Sequence, residues 1–541
     1  MSRAKTPEKA VSSGRSASSA RDSDSETRNA YVSRSLLSNR HTDTSSAAPV
    51  SEPPSDAGSI DSPEKWSLRE AAKVENAFDL FKQSSVPFFI AGLVSISCGQ
   101  VLSLASRSKL FESTPELLCL SIPLMGLKGN IDMTYASRLT TLAHQGALRT
   151  FDDLMDRMPA FLATVQTQAI PMAIFSAMIT YLLMIVDRLL GLSDPDASQP
   201  TENIRNLPLI AGTSLLTICL SAGLLCCLTG MLVFCSRKCR FNPDNVTVPL
   251  AASTGDLVCI VLLYGTSHLI NLIHRAYHCP LYILLVAFVL LLPMCAYCAL
   301  KTDLGRRTLK FCWVSLTVSA LLQCIGGCIL NYTARRYPDC TLYQPILTGI
   351  AGNRVGVYAS RLGTFLHSKG NLKTGTFPDQ LPYLKMANPL RVFYRSDSDV
   401  KAGRILVFSS LPYQLAFILI AYGLGTAFST TLMKPRFHWS FALSYLCFAA
   451  IQITLLMIWG QLTCYTMWAL GIDPDIHSIP LLTGLGDLQG CALLLLLFEL
   501  LSIYAPEDIN FIDPMAGAST TTITSTTLAS MIANSTTTAL L

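Results

Sequence analysis

Charge is the first thing this chain lacks. Only 14% of its 541 residues are Asp, Glu, Lys or Arg, against about 25% in an ordinary soluble domain. Half of the residues are apolar, and the mean hydropathy is +0.40. That deficit excludes a soluble globular enzyme. A strongly basic surface is absent too: the formal net charge is +5 and no DNA- or RNA-reading motif occurs, so no nucleic-acid partner is expected. The N-terminal MSRAKTPEKAVSSGRSASSARDSDSETR has no apolar core of a signal peptide. Residues 1–85 contain too little apolar surface to fold alone and read as a disordered cytoplasmic tail. The Thr-rich stretch from Pro506 to Leu541 has no Lys or Arg. Cysteine is not scarce, at 18 residues, but most lie inside apolar runs. Cys295 and Cys298, spaced as a CxxC, read there as small apolar fillers rather than a metal or redox pair.

The apolar residues fall in long runs. At about 20 residues per bilayer crossing, they predict an all-α polytopic membrane protein with eleven spans: 86–104, 115–142, 162–190, 208–234, 247–266, 280–300, 312–330, 341–366, 405–430, 439–462 and 478–504. The second and eighth are the weakest, because charges and glycines interrupt them. Lys and Arg concentrate in alternate connectors, such as Arg237, Lys238 and Arg240, then Lys301, Arg306, Arg307 and Lys310. The positive-inside rule then predicts a cytoplasmic N-terminus and, with an odd span count, an extracellular C-terminus, most simply in the plasma membrane. The sequons at Asn331 and Asn534 fall outside on this reading, and the one at Asn245 falls inside.

A repeat organises the chain. GLKGNIDMTYASRLTT at 126–141 matches GIAGNRVGVYASRLGT at 349–364 with nine of 16 positions identical and an offset of 223. NPDNVTVPLAASTGDL at 242–257 matches DPDIHSIPLLTGLGDL at 473–488 with seven of 16 identical and an offset of 231. Two motifs recurring in order at nearly one distance are the mark of duplication. The predicted organisation is a first repeat at 86–266, a connector with the sixth span at 267–304, a second repeat at 305–504 and a short C-terminal tail at 505–541. Five spans are an odd number, so the single connecting span restores the side, and the halves become parallel repeats about an axis along the membrane normal.

Within that frame, Asp256 and Asp487 stand out. Each lies 12 residues past an inner Pro-Asp pair, about 18 Å along a helix and near mid-bilayer. An aspartate at that depth costs about 2.5–3.5 kcal/mol on insertion scales. Small residues share its face: Pro249, Ala252 and Ser253 in one half, Pro480, Thr483 and Gly484 in the other. Brought together by the repeat, the two acids either share protons or hold a cation between them. Gly126, Gly129 and Asn130, with Gly349, Gly352 and Asn353, lie midway along their spans. The glycines either break the helix, freeing carbonyls toward a cavity, or merely allow close packing; the asparagines add carbonyl oxygens. Arg138 and Arg361 either pair with Asp244 and Asp475 at the inner mouth or snorkel. Oxygen donors and two acids without Cys or His suit a hard cation; Asp256, Asp487, Asn130, Asn353, Ser253 and Thr483 are the predicted ligand set, and Mg²⁺, Mn²⁺ and Ca²⁺ remain open.

These segments resemble the two signature segments of the MgtE transport domain found in the animal solute carrier family 41. The resemblance spans both repeats, about residues 86–504. It implies divalent cation transport, principally of Mg²⁺, with Na⁺ exchange as the animal form of coupling, and it implies no resident cofactor and no enzymatic activity. It also places the bound ion on Asp256 and its counterpart Asp487. Asp132 stands where that family usually has Glu, Arg354 replaces an apolar residue, and Ile476-His477 interrupts the expected pattern after Pro474. The rival enzyme reading is an intramembrane aspartyl protease, because Gly484-Leu485-Gly486-Asp487 spells GxGD; the partner Tyr-Asp and Pro-Ala-Leu motifs of such proteases are absent.

Overall fold

The computed structural model describes residues 77–144, 150–190, 200–238, 243–276, 279–369, 398–428 and 438–506, with 372, 375–377 and 382–388 between them. Nearly all of the two predicted tails, and the sequon at Asn534, lie outside these residues.

Among the described residues the chain is helical, without a sheet. Eleven helices are long. The first five are α1 (Ala77–Ser106), α3 (Glu116–His144), α4 (Phe151–Leu189), α5 (Pro200–Lys238) and α6 (Pro243–Ala276). Then come α7 (Cys279–Leu300), α9 (Trp313–Arg336), α10 (Cys340–Lys369), α12 (Ser398–Phe428), α13 (Trp439–Ala469) and α14 (Pro474–Tyr504). They answer one for one to the eleven apolar runs. Three short helices escaped the sequence reading, being too brief to cross anything: α2 (Lys109–Ser113), α8 (Asp303–Phe311) and α11 (Tyr383–Met386).

The long helices outrun the apolar segments because polar first turns can be capped in water. α4 begins eleven residues before its expected span, where Thr150 accepts from the Asp153 amide (3.2 Å) and Asp153 accepts from the Thr150 amide (2.9 Å). This reciprocal pair satisfies two end donors that a bare helix leaves open.

Nine of the described helices are long and apolar enough to cross a membrane by composition; α3 and α10 are not among them. Their burial explains the exception. Nearly every described side chain of α3 from Leu117 to Ala136 and of α10 from Cys340 to Ala359 is enclosed by protein. A helix walled in by other helices never meets lipid tails, so it can carry amides and charges. α7 is the opposite, exposing Tyr282, Ile283, Val286, Leu290, Met294 and Tyr297, as befits a perimeter helix in hydrocarbon.

Helix pairings recur between the halves. α1 packs on α6 as α9 packs on α14, and α3 packs on α6 as α10 packs on α14. The first helix of each half also packs on the second helix of the other, α1 on α10 and α9 on α3. Both crossings use a glycine: a Cβ on Gly99 would strike the Leu342 carbonyl, and one on Gly327 the Cys119 carbonyl. Leu342 and Cys119 are separated by 223 positions, the repeat offset. Ion pairs fasten one end of the bundle, Arg188 to Glu116 (2.8 Å) and Arg107 to Asp339 (2.8 Å).

Two expectations need correction. Gly126, Gly129, Gly349 and Gly352 do not break their helices, since α3 and α10 run unbroken through them; the reason is that their backbone groups already have intrahelical partners, and the missing side chains serve packing instead. A Cβ at Gly126 would collide with Gln323, and one at Gly349 would lie 3.1 Å from the Ser95 hydroxyl. Asn331, read as a glycosylation acceptor, is only 4% exposed inside α9, so the folded chain hides that amide from any modifying enzyme.

Candidate functional site

Pro243 and Pro474 open α6 and α14, where a missing N–H costs nothing. Each helix then carries its aspartate midway along the bundle. Asp256 and Asp487 line one cavity of about 50 Å³, walled by α3, α6, α10 and α14. Both are partly accessible rather than sealed.

The same cavity gathers most of the residues singled out in the sequence. Asn130 and Asn353 line it from the two halves, and Thr483 does so from α14. Gly126, Gly129, Gly349 and Gly352 line it as well; a Cβ at Gly129 would lie 3.8 Å from Asp256 Oδ1, while one at Gly352 would meet nothing within 4 Å. The glycines therefore hold the cavity open. Ser253 is buried behind it, accepting from Asn353 Nδ2 at 3.0 Å. Arg138 lines a different cavity, and Arg361 is partly exposed near the C-terminal end of α10. The side chains of Asp244 and Asp475 lie outside the described residues.

Sequence reasoning missed several neighbours. Gln323 donates to Asp487 Oδ2 at 3.0 Å. Gln344 and Thr348 line the cavity and bond each other at 3.1 Å, leaving Gln344 Oε1 buried without a partner among the described residues. Ser319 accepts from Asn130 Nδ2 at 3.0 Å, while Asn130 Oδ1 accepts from the Thr483 hydroxyl. The signal available beforehand was a polar amide inside an apolar run, because a buried amide must find partners or pay for its absence.

Each asparagine thus donates to a serine, but the serines come from different places. Ser253 sits on α6. Its repeat counterpart is Gly484, and a Cβ there would lie 2.6 Å from the Ser319 hydroxyl. The hydroxyl removed from α14 is supplied by α9.

Three buried charged side chains, Lys128, Asp132 and Arg354, lie beyond the cavity. Lys128 donates to Asp132 Oδ1 on α3, with side chains 0% and 1% exposed; Asp132 Oδ2 has no partner among the described residues and faces Gly255, where a Cβ would be 3.2 Å away. On α10, Arg354 donates to the Leu406 carbonyl (2.8 Å) and the Ser409 hydroxyl (2.6 Å). Its guanidinium lies 4.9 Å from the Phe88 ring centre and 5.4 Å from that of Tyr413, a cation–π arrangement.

Chemically, the cavity presents two carboxylates, three amides and two hydroxyls, all oxygen donors or their partners. Among the described residues no three His, Cys, Asp or Glu side chains converge as a ready-made metal cage. An ion held here would keep some of its water. At roughly 10–15 Å³ of this measure per water, the cavity has room for only a few ligands of that size beside the carboxylates.

Comparison with known proteins now defines the family. The MgtE family, described as divalent cation transporters, matches at residues 121–266 and again at 344–497. The mouse protein named solute carrier family 41 member 3 is 31% identical over 77% of this chain and 82% of its own length. The human protein named solute carrier family 41 member 2 is 30% identical over 81% of this chain and 75% of its own. No solved structure matches. These relatives are solute carriers, which disfavours the protease reading of the GxGD tetrapeptide. The chain is a multi-pass membrane protein and a member of the MgtE and solute carrier 41 family of divalent cation transporters.

Proposed function

We propose that this transporter moves Mg²⁺, partly dehydrated, through a path between two parallel repeats at 86–266 and 305–504, with the ion held by Asp256 and Asp487. The observation carrying this reading is that two acids, 231 positions apart, line one small polar cavity inside the bundle. Two carboxylates in a low-dielectric cavity repel strongly, and a divalent cation cancels both charges. Mg²⁺ prefers oxygen ligands in octahedral geometry and retains waters, so one or two carboxylates plus water suit it. Asn130, Asn353 and Thr483 supply further oxygens, and Gln344 Oε1 offers one that lacks a partner among the described residues. Exchange against Na⁺, residence in the plasma membrane and a cytoplasmic N-terminus complete the proposal; the basic connectors support the last.

Proteoliposomes holding a Mg²⁺ indicator test it. Mg²⁺ flux is expected to fall at least tenfold in both Asp256→Asn and Asp487→Asn, with Asp303→Asn, an exposed residue outside the cavity, as the control. Unchanged flux in either aspartate variant removes the site. Flux that is insensitive to an imposed Na⁺ gradient removes the exchange, and Mn²⁺ or Ca²⁺ outrunning Mg²⁺ removes the assigned ion.

A further inference from the structure

A second cavity, about 220 Å³ and larger than the first, is walled by α3, α4 and α8 and does not contain the two aspartates. Ile131, Leu142, Phe161 and Val165 supply its apolar wall, interleaved with Thr134, Tyr135, Thr164 and Gln168. Its polar groups are enough to hold waters, but most of the surface the cavity exposes is apolar, which suits a hydrocarbon chain.

Its charged members are Arg138, Arg157 and Asp156, two positive and one negative, for a net of +1. They lie at the end of the bundle where the connectors carry the most Lys and Arg. Arg157 and Asp156 are exposed, so this part of the lining meets the surroundings, while Phe161 is buried. The cavity therefore combines a cationic, accessible part with an apolar, enclosed one.

α8 strengthens the assignment. It presents Gly305 and Thr308 to the cavity and exposes Arg306 and Lys310, with Lys301 exposed just before it. A short helix with a basic outer face and a buried inner face is built to lie along a membrane surface. Thr302 accepts from the Gly305 amide at 3.2 Å, fixing the first turn beside the cavity. The neighbouring α7 turns its apolar residues outward, so lipid tails border this region directly.

We propose that the cavity binds one anionic phospholipid, with an acyl chain among the apolar residues and the headgroup phosphate on Arg138 and Arg157 beside α8. The partner is chosen by its two halves. A free phosphate would leave the apolar part empty, and a zwitterionic lipid would gain less from the basic rim, where each arginine near an anionic headgroup multiplies affinity about fivefold.

Native mass spectrometry of the full chain in mild detergent, with equimolar phosphatidylglycerol and phosphatidylcholine, tests this. Phosphatidylglycerol is expected to be retained at least fivefold over phosphatidylcholine. Ala160→Trp, filling the cavity, should abolish retention. Arg157→Gln, a surface change that keeps the test alive if the tryptophan variant does not assemble, should lower the preference about fivefold. Glycerol phosphate, the same anion without chains, should not displace the lipid. Equal retention of both lipids by the unaltered chain, retention surviving in Ala160→Trp, a preference unchanged in Arg157→Gln, or displacement by glycerol phosphate would overturn the proposal.

Discussion

The two halves of this transporter agree at the acids, asparagines and glycines of the cavity and differ just behind them. Asp256 and Asp487 match, as do Asn130 and Asn353, and so do the two glycines on each of α3 and α10. One turn away the correspondence ends. The Lys128–Asp132 pair of α3 has Ala351 and Val355 as its counterparts on α10, while Arg354 of α10 answers to Ile131 of α3. A duplicated chain needs symmetry only where both halves touch the same ligand. Elsewhere each half can solve its packing separately, provided every buried charge finds partners. One half pairs an ammonium with a carboxylate; the other wraps a guanidinium in a carbonyl, a hydroxyl and two aromatic rings.

The ion pair offers the largest break in that comparison. Lys128→Met leaves Asp132 buried without its cation and is expected to cost about 3–5 kcal/mol. Lys128→Met with Asp132→Leu removes both charges and should recover most of that loss. Thermal unfolding of the purified chain reads both; a single variant as stable as the double would show that the pair is not desolvated.

The crossings should respond alike in the two halves. Gly99→Ala and Gly327→Ala each drive a methyl group into a backbone carbonyl, and each is expected to cost about 1–3 kcal/mol through overpacking. A large effect in one and none in the other would mean that the halves do not cross equivalently.

The smallest effects sharpen the serine exchange. Ser253→Ala and Ser319→Ala each deprive one asparagine nitrogen of its acceptor, at about 1 kcal/mol apiece. Gly484→Ser restores the repeat residue, but its Cβ would lie 2.6 Å from the Ser319 hydroxyl and 2.9 Å from the Ser319 backbone. Adding Ser319→Ala should recover only part of the loss, because the backbone clash remains. Unfolding midpoints of the three variants and the combination measure this directly.

How much could be seen in advance differs by level. The eleven apolar runs located the eleven long helices because a helix enclosed by lipid or by other helices must be mostly apolar, a local requirement; nine of those helices are apolar enough to cross a membrane by composition. The cavity was foreshadowed by the two motifs, since the repeat places Asp256 opposite Asp487 and Asn130 opposite Asn353. Ser319 and Gln323 were invisible as site residues: they lie on α9, outside both motifs. Ser319 reaches Asn130 because α9 crosses into the first half, and Gln323 reaches Asp487 because α9 packs on α14 within its own half. The glycines were read as helix breaks because a glycine pair looks the same in sequence whether it bends a helix or admits a neighbour.

The amino-acid order alone therefore determined the membrane solvent, the places of the long helices, the duplication and the pair of acids, since each follows from hydropathy or identity along one chain. Only the tertiary structure decided which helix of one half enters the other, which serine serves which asparagine, and where Lys128 and Arg354 find their partners. The asparagine–serine meetings join side chains a hundred or more positions apart at 3.0 Å, and Arg354 reaches over 50 positions along the chain, which no local pattern encodes. Only the Lys128–Asp132 pair is local, four residues apart on one helix.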